Sequence, residues 1–462
     1  MTGARLRARE LDEVRHGLRF SGPIDEPALA REAELLDALA RAPWPRRFLG
    51  HLRLIGPGYL QSAMTLGAGT ASSSLFAGAV FGYDLLWVGP VAMLIGVVML
   101  AAIAHQTLST GARPMRAVAL HAGKPIAIAW AAGALAASVV WHFPQYNLAA
   151  NSLADLAAAA GTGEVPPMAA SAAVLAVAAA MPLAYGRSPR AVRAYERVLK
   201  WMVWIVVLSL LWVVLRTGTD WAAVLRGFLG FALPPPRGGI SSATLAVSAL
   251  AAAVGINMAF LYPYSLLARG WGPSHRSLAR WDLVLGMAVP YVLATGLCTI
   301  AAANTLHRSG AEVAKNLSVR EASLVLGQVL GPVSGRLVFD VGMLAMALST
   351  ISLHMLVCGF VASEWLGLRV GSMAQRLFTL LPAPAFLAPW FWGDLAVWLA
   401  VPTTIACGAL LPIAYLGVLR LQCSASYLGE DRPRGAAGAL WLAGMVLATL
   451  FATGALVLYL IG

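Results

Sequence analysis

The sequence predicts an all-α integral membrane protein of about eleven transmembrane helices. Ten of them form a five-plus-five inverted repeat, with helices 1 and 6 broken at mid-membrane. Three observations predict this. The 462 residues are 59% hydrophobic and only 12% charged, with mean hydropathy +0.73, more apolar surface than a soluble core absorbs. Eleven intervals lack Asp, Glu, Lys and Arg, and most reach the roughly 20 residues that a helix needs to cross the hydrocarbon. The first and sixth intervals carry helix-breaking residues near their middles.

The elements follow in order. Residues 1–53 form a polar tail of mixed charge without an apolar h-region, so no cleavable signal peptide is expected. Asp25-Glu26-Pro27, followed by Leu29, Leu35, Leu36 and Leu39, predicts a short capped helix in that tail. The first repeat spans 54–216, with charge-free intervals 54–83, 85–112, 125–154, 165–186 and 201–215. The fifth is short, but Lys200 and Arg216 can snorkel at its ends. An external loop is expected at 217–240. The second repeat spans 241–420, with intervals 238–268, 283–307, 341–363, 377–393 and 395–419. The ninth interval carries Pro382, Pro384 and Pro389 and is expected to cross, with a kinked or re-entrant segment as the alternative. A cytoplasmic loop and the eleventh helix, 435–462, complete the chain from residue 421.

The net charge of +12 would suggest nucleic acid in a soluble protein. Here it encodes topology. With a cytoplasmic N-terminus and eleven spans, 26 of the 33 Lys and Arg residues are cytoplasmic and 7 external. That bias predicts a cytoplasmic N-terminus and an external C-terminus. The partner is then the lipid bilayer, not nucleic acid. Arginine far outnumbers the three lysines, which fits a high-GC bacterial genome, and a multi-pass protein of a bacterial inner membrane is expected. The four cysteines have neither metal-ligand nor disulfide spacing. HExxH, GxSxG and P-loop motifs are missing, so no enzyme and no cofactor is expected.

In the first span Gly67, Gly69 and Thr70 sit mid-length, followed by Ser72, Ser73 and Ser74. Paired glycines weaken a helix, and small hydroxyls satisfy the freed backbone groups. In the sixth, Gly255, Asn257 and Pro263 interrupt the apolar run. Breaks five helices apart mark the pattern in which substrate binds where the two meet. The candidate substrate-binding residues are Thr65, Gly67, Ala68, Gly69, Thr70, Ser72 and Ser73, with Gly255, Asn257, Met258, Ala259 and Tyr262 opposite. His142, Gln145 and Asn147 of the third span and His354 of the eighth form a candidate pathway. His142 and Gln145 share a helix face, and histidine titrates near neutral pH. Asp340 and Arg336, one turn apart, are expected to pair.

The run Gly56-Pro57-Gly58, then Gly78-Ala79, Phe81-Gly82-Tyr83 and Leu85-Leu86-Trp87, resembles the first span of Nramp divalent-metal transporters. Thr110-Gly111, Leu261-Tyr262, Ser265 and Ser349-Thr350-Ile351 are similar to later parts of that family. The resemblance implies a LeuT-like bundle of eleven helices and cation transport. It also exposes departures. Where the family has Asp-Pro-Gly-Asn in the first break, this chain has Gly67-Ala68-Gly69-Thr70. Where the family has Met-Pro-His in the sixth, it has Asn257-Met258-Ala259. The family's acidic third span is similar to a stretch here that holds His142, Gln145 and Asn147 and no carboxylate.

Borderline divalent metals favour carboxylate, imidazole or thioether ligands. A bare dication among neutral dipoles is costly. A secondary transporter is therefore expected, moving a cation or a small polar solute, neutral or zwitterionic, with or without a coupling ion. A divalent metal (Mn, Fe or Mg type) importer rebuilt on Thr70, Asn257 and Met258 is the first alternative. A non-transporting sensor or scaffold acting through the tail is the second.

Overall fold

The computed structural model describes residues 26–185, 189–310, 313–392 and 397–461. Two helices precede the bundle, α1 (Glu26–Ala40) and α2 (Trp44–Leu54). The first is the helix expected in the tail. Its Leu36 and Leu39 are buried while Leu35 is exposed, so one apolar edge rests on the bundle. Its Glu32 accepts a hydrogen bond from Trp271 Nε1 at 2.9 Å.

The first span is two helices, α3 (Pro57–Thr65) and α4 (Ala68–Phe81), joined through non-helical Leu66 and Gly67. Then come α5 (Val88–Thr110), α6 (Pro114–His121), α7 (Lys124–Ala159), α8 (Pro167–Ala184) and α9 (Pro189–Arg216). Proline lies in the first turn of α3, α6, α7 and α8, where its missing N–H costs nothing. Gly111 ends α5 in the left-handed region, φ 65°, a conformation glycine adopts without steric cost.

After α10 (Trp221–Leu229), the sixth span is again two helices, α11 (Ser242–Ala253) and α12 (Ile256–Ala268). The extended residues between them are Val254 and Gly255. Pro263 does not make the break; it lies inside α12. The seventh span comprises α13 (Arg276–Trp281), a π-helical stretch Asp282–Ala288 and α14 (Val289–Ala302), followed by a second π-helical turn Ala303–His307. It starts before the charge-free interval 283–307, and Asp282 is buried within it.

The remaining helices are α15 (Val319–Leu330), α16 (Ser334–Leu366), α17 (Met373–Phe378), α18 (Ala388–Trp392), α19 (Ala400–Gly408), α20 (Leu411–Cys423), α21 (Ala425–Leu428) and α22 (Gly435–Ile461). Among the described residues nine helices are long and apolar enough to cross a membrane. The broken first span stands beside them. The ninth interval is not one helix: α17, a 3-10 turn at Ala383–Leu387 and α18 share it, as its prolines require. These pieces climb the bundle. Gln375 packs against Gly359 of α16, and the Trp392 carbonyl accepts from Asn147 Nδ2 of α7 at 2.7 Å.

The centre of the bundle is α16, of whose most apolar window 89% is buried. It runs antiparallel to α7, so that His354 faces His142 and Arg336 meets Asp155.

Candidate binding site between the broken helices

Each break exposes backbone groups that an intact helix would satisfy. Small side chains take up most of them. Thr70 Oγ1 donates to the Thr65 carbonyl at 2.5 Å, and Thr65 Oγ1 donates to Gln61 O at 2.8 Å, with Ala253 O 3.3 Å away. From α16, Thr350 Oγ1 and Ser349 Oγ reach the Ala63 carbonyl at 3.0 and 3.1 Å. The N-termini of α4 and α12 both open on the space between the breaks, and such ends carry partial positive charge.

That space is a small pocket of about 20 Å³, room for one water or one bare ion. Thr65, Gly67, Gly69 and Thr70 line it from the first span, and Asn257 and Met258 from the sixth. Gln145, Trp141, Thr350, His354 and Thr404 close it from α7, α16 and α19. No charged side chain reaches it. Among the described residues, no three His, Cys, Asp or Glu side chains are grouped to hold a metal.

Two amides dominate the chemistry. Asn257 Oδ1 accepts from Met258 N at 2.9 Å, which turns Nδ2 the other way, and that nitrogen is buried without a partner. Gln145 Oε1 accepts from Ala68 N at 2.8 Å, which leaves Nε2 beside Gly67. A backbone N–H needs an acceptor, so both amide orientations are fixed by geometry. A Cβ on Gly67 would stand 2.7 Å from Gln145 Nε2 and from Thr350 Oγ1. The space that a side chain at position 67 would need is thus filled by an amide and a hydroxyl. Met258 Sδ accepts from Gly255 N at 3.4 Å and lies 3.4 Å from Thr65 Oγ1.

The other predicted residues divide. Ala68 takes part through its N–H, and Gly255 through the bond to Met258. Ala259 and Tyr262 are buried but do not line the cavity. Nor do Ser72 and Ser73; Ser73 Oγ donates to Gly69 O at 2.7 Å. His354 lines the cavity, stacked on Trp141, while His142 stands behind it with ring centroids 5.4 Å apart. His142 is held at Nδ1 by Ser138 O at 2.5 Å. Asn147 is bonded to Trp392 instead of the cavity. Trp141 and Thr404, bonded to each other at 3.2 Å, and Met64 and Ala252 were not foreseen. Nothing in a run of apolar residues marks them; only the fold brings them in.

One end of α3 is also tied down. Asp282 accepts from Gly56 N at 2.8 Å and Gly58 N at 2.5 Å. A Cβ on Gly58 would lie 2.1 Å from the Asp282 carbonyl oxygen, so only glycine fits. Arg269 donates to Glu196 at 3.0 Å and to the Leu54 carbonyl at 3.2 Å. Asp282 and Glu196 lie outside the charge-free intervals, and both are buried.

A multi-pass helical bundle with a small polar pocket between two broken helices has the LeuT-like fold of membrane transporters. The family profile described as natural resistance-associated macrophage protein-like matches residues 58–461, and the chain belongs to the Nramp family. The divalent metal cation transporter MntH of Mycobacterium tuberculosis is 24% identical over 390 residues, covering 82% of this chain and 85% of that protein. MntH of Agrobacterium fabrum is 22% identical over 459 residues, covering 96% and 95%. A crystal structure of the Eremococcus coleocola manganese transporter superposes with TM-score 0.69 at 15% identity, covering 87% and 85% of the two chains. MhsT in complex with L-phenylalanine follows at TM-score 0.56 and 16% identity, covering 87% and 97%. These relatives are transporters, not enzymes.

Proposed function

We propose that this Nramp-family protein is a secondary transporter of the bacterial inner membrane, with its N-terminus cytoplasmic and its C-terminus external. It moves a small polar solute or a cation through the cavity between the breaks, with the family's usual transition-metal set replaced. The observation that carries this is the pair of amide nitrogens, Asn257 Nδ2 and Gln145 Nε2, turned away from their oxygen-bound backbone partners. A bare dication is repelled by N–H groups. A ligand with acceptor oxygens is drawn to them and to the two helix N-termini. A zwitterion matches both ends of the breaks, its ammonium facing the carbonyl ends of α3 and α11, in a conformation that widens the present space of about 20 Å³.

A second reading, import of a divalent metal, is favoured by Met258 Sδ in the cavity wall and by the MntH relatives. Thr70 and Asn257 would join Met258 as ligands. Thermal shift of the purified chain against free amino acids and against Mn²⁺ separates the two, because a ligand of the folded state raises its stability. Asn257→Asp sharpens the test. It should abolish an amino-acid shift under the first reading and strengthen a Mn²⁺ shift under the second. If Mn²⁺ binds the unaltered protein at micromolar concentration and no amino acid does, the solute reading fails.

A further inference from the structure

Away from the cavity, α7, α15 and α16 meet on a buried polar cluster. Arg336 Nε donates to Asp155 Oδ2 at 3.2 Å, and Arg336 Nη2 donates to Asp155 Oδ1. The i, i+4 pairing of Arg336 with Asp340 expected from the sequence is therefore not made. Ser323 Oγ, on α15, lies 2.7 Å from Asp155 Oδ2 and 3.1 Å from Asp340 Oδ2. Ser323 and Asp340 are fully buried, and Asp340 Oδ1 has no partner.

Counting hydrogens decides the protonation. The Ser323 hydroxyl owns one hydrogen but touches two carboxyl oxygens. It can donate to one, so the other contact needs a hydrogen from the carboxyl itself. Asp155, gripped through both oxygens by a guanidinium, is the ionised member. Asp340 has a like charge beside it and no guanidinium bond of its own, an arrangement in which one of two carboxyls keeps its proton. We propose that Asp340 is a proton-binding site, its Oδ2–H donating to Ser323 Oγ and the Ser323 hydrogen going to Asp155.

Among the described residues, neighbouring elements bring no rival charge. The sequence of α8 has no ionisable residue. From α9, Ser209 faces Gly342, and Arg216 lies over Trp212. On α15, Arg320 and Glu321 are exposed, and Glu321 caps Ser318. His307, in the turn packed on α15, is bonded to Ala79 O at 3.1 Å. When the proton leaves to water, two carboxylates face one guanidinium in a dry place. Ser323 then holds only one of them, and α15 loosens from α7 and α16. The proton thus controls how firmly this helix closes its end of the bundle, whatever the cargo.

Two measurements on the full chain in detergent test this. The infrared difference between the parent protein and Asp340→Asn at neutral pH should contain a protonated-carboxyl band. Hydrogen exchange of amides 319–330, corrected for intrinsic rate, should accelerate at least about tenfold from neutral to alkaline pH in the parent. It should stay slow in Asp340→Asn, whose amide cannot ionise. A missing difference band, or parent exchange that ignores pH, overturns the proposal. If Asp340→Asn does not fold, the parent's band must titrate away at alkaline pH and shift in Ser323→Ala. A band that does neither also overturns it.

Discussion

Asp282→Ala should release the N-terminal end of α3. Its carboxylate is the acceptor for Gly56 N and Gly58 N, which as the first N–H groups of a helix have no partner within it. Stranding a buried N–H costs about 1–3 kcal/mol. The substitution also relieves the burial of a carboxylate, which offsets part of that cost. About 2 kcal/mol remains against the docked arrangement, roughly a 30-fold shift in the docked-to-undocked ratio. Ser62, in the middle of α3, reports on it: it is fully buried and its hydroxyl has no partner, so cysteine replaces it isosterically. Cys423 is the exposed native thiol and is first changed to serine; Cys298, Cys358 and Cys407 are buried. The rate at which a maleimide labels Ser62→Cys should rise roughly 30-fold when Asp282→Ala is added. A rate within about threefold of the starting protein, in material that elutes as folded, refutes the reasoning.

Other perturbations probe the same framework. Gly58→Ala drives a methyl into the Asp282 carbonyl oxygen, 2.1 Å away, and should cost at least about 1–3 kcal/mol by overpacking, read as a lower thermal midpoint. Gln145→Leu keeps the bulk but removes the acceptor of Ala68 N; it should cost about 1–3 kcal/mol and erase any ligand-induced thermal shift. An unchanged shift in that variant would place the ligand elsewhere.

Much of this architecture was legible because hydrocarbon permits so few structures. A charge-free run of suitable length must be a helix, and a glycine pair within it must be a weak point. Gly67 of such a pair and the lone Gly255 beside Asn257 both mark the breaks. Charge is where the same reasoning failed. Ionisable residues served as the borders of spans, so Asp282, Glu196 and Asp155 were left at the edges. Helices extend past those borders when a buried partner exists: two glycine N–H groups for Asp282, Arg269 for Glu196, Arg336 for Asp155. Those partners are 73 to 226 positions away in the chain, and no local pattern encodes them. Pro263 misled for the opposite reason. The strongest helix breaker in the sixth span is tolerated inside α12, where packing outweighs its lost bond. The cavity itself was half visible. Its backbone and Asn257 came from the breaks, while Trp141 and Thr404 came from helices whose sequences look like ordinary packing.

The absence of charged side chains around the cavity also bears on electricity. Moving one elementary charge through 100 mV takes about 2.3 kcal/mol. A carrier with a fixed carboxylate at its centre drags that charge through the field whenever it returns empty. This centre drags none. The cavity lining therefore adds no charge of its own to the empty return step, and any protein charge that moves there belongs to groups outside the cavity, such as the Arg336–Asp155 pair.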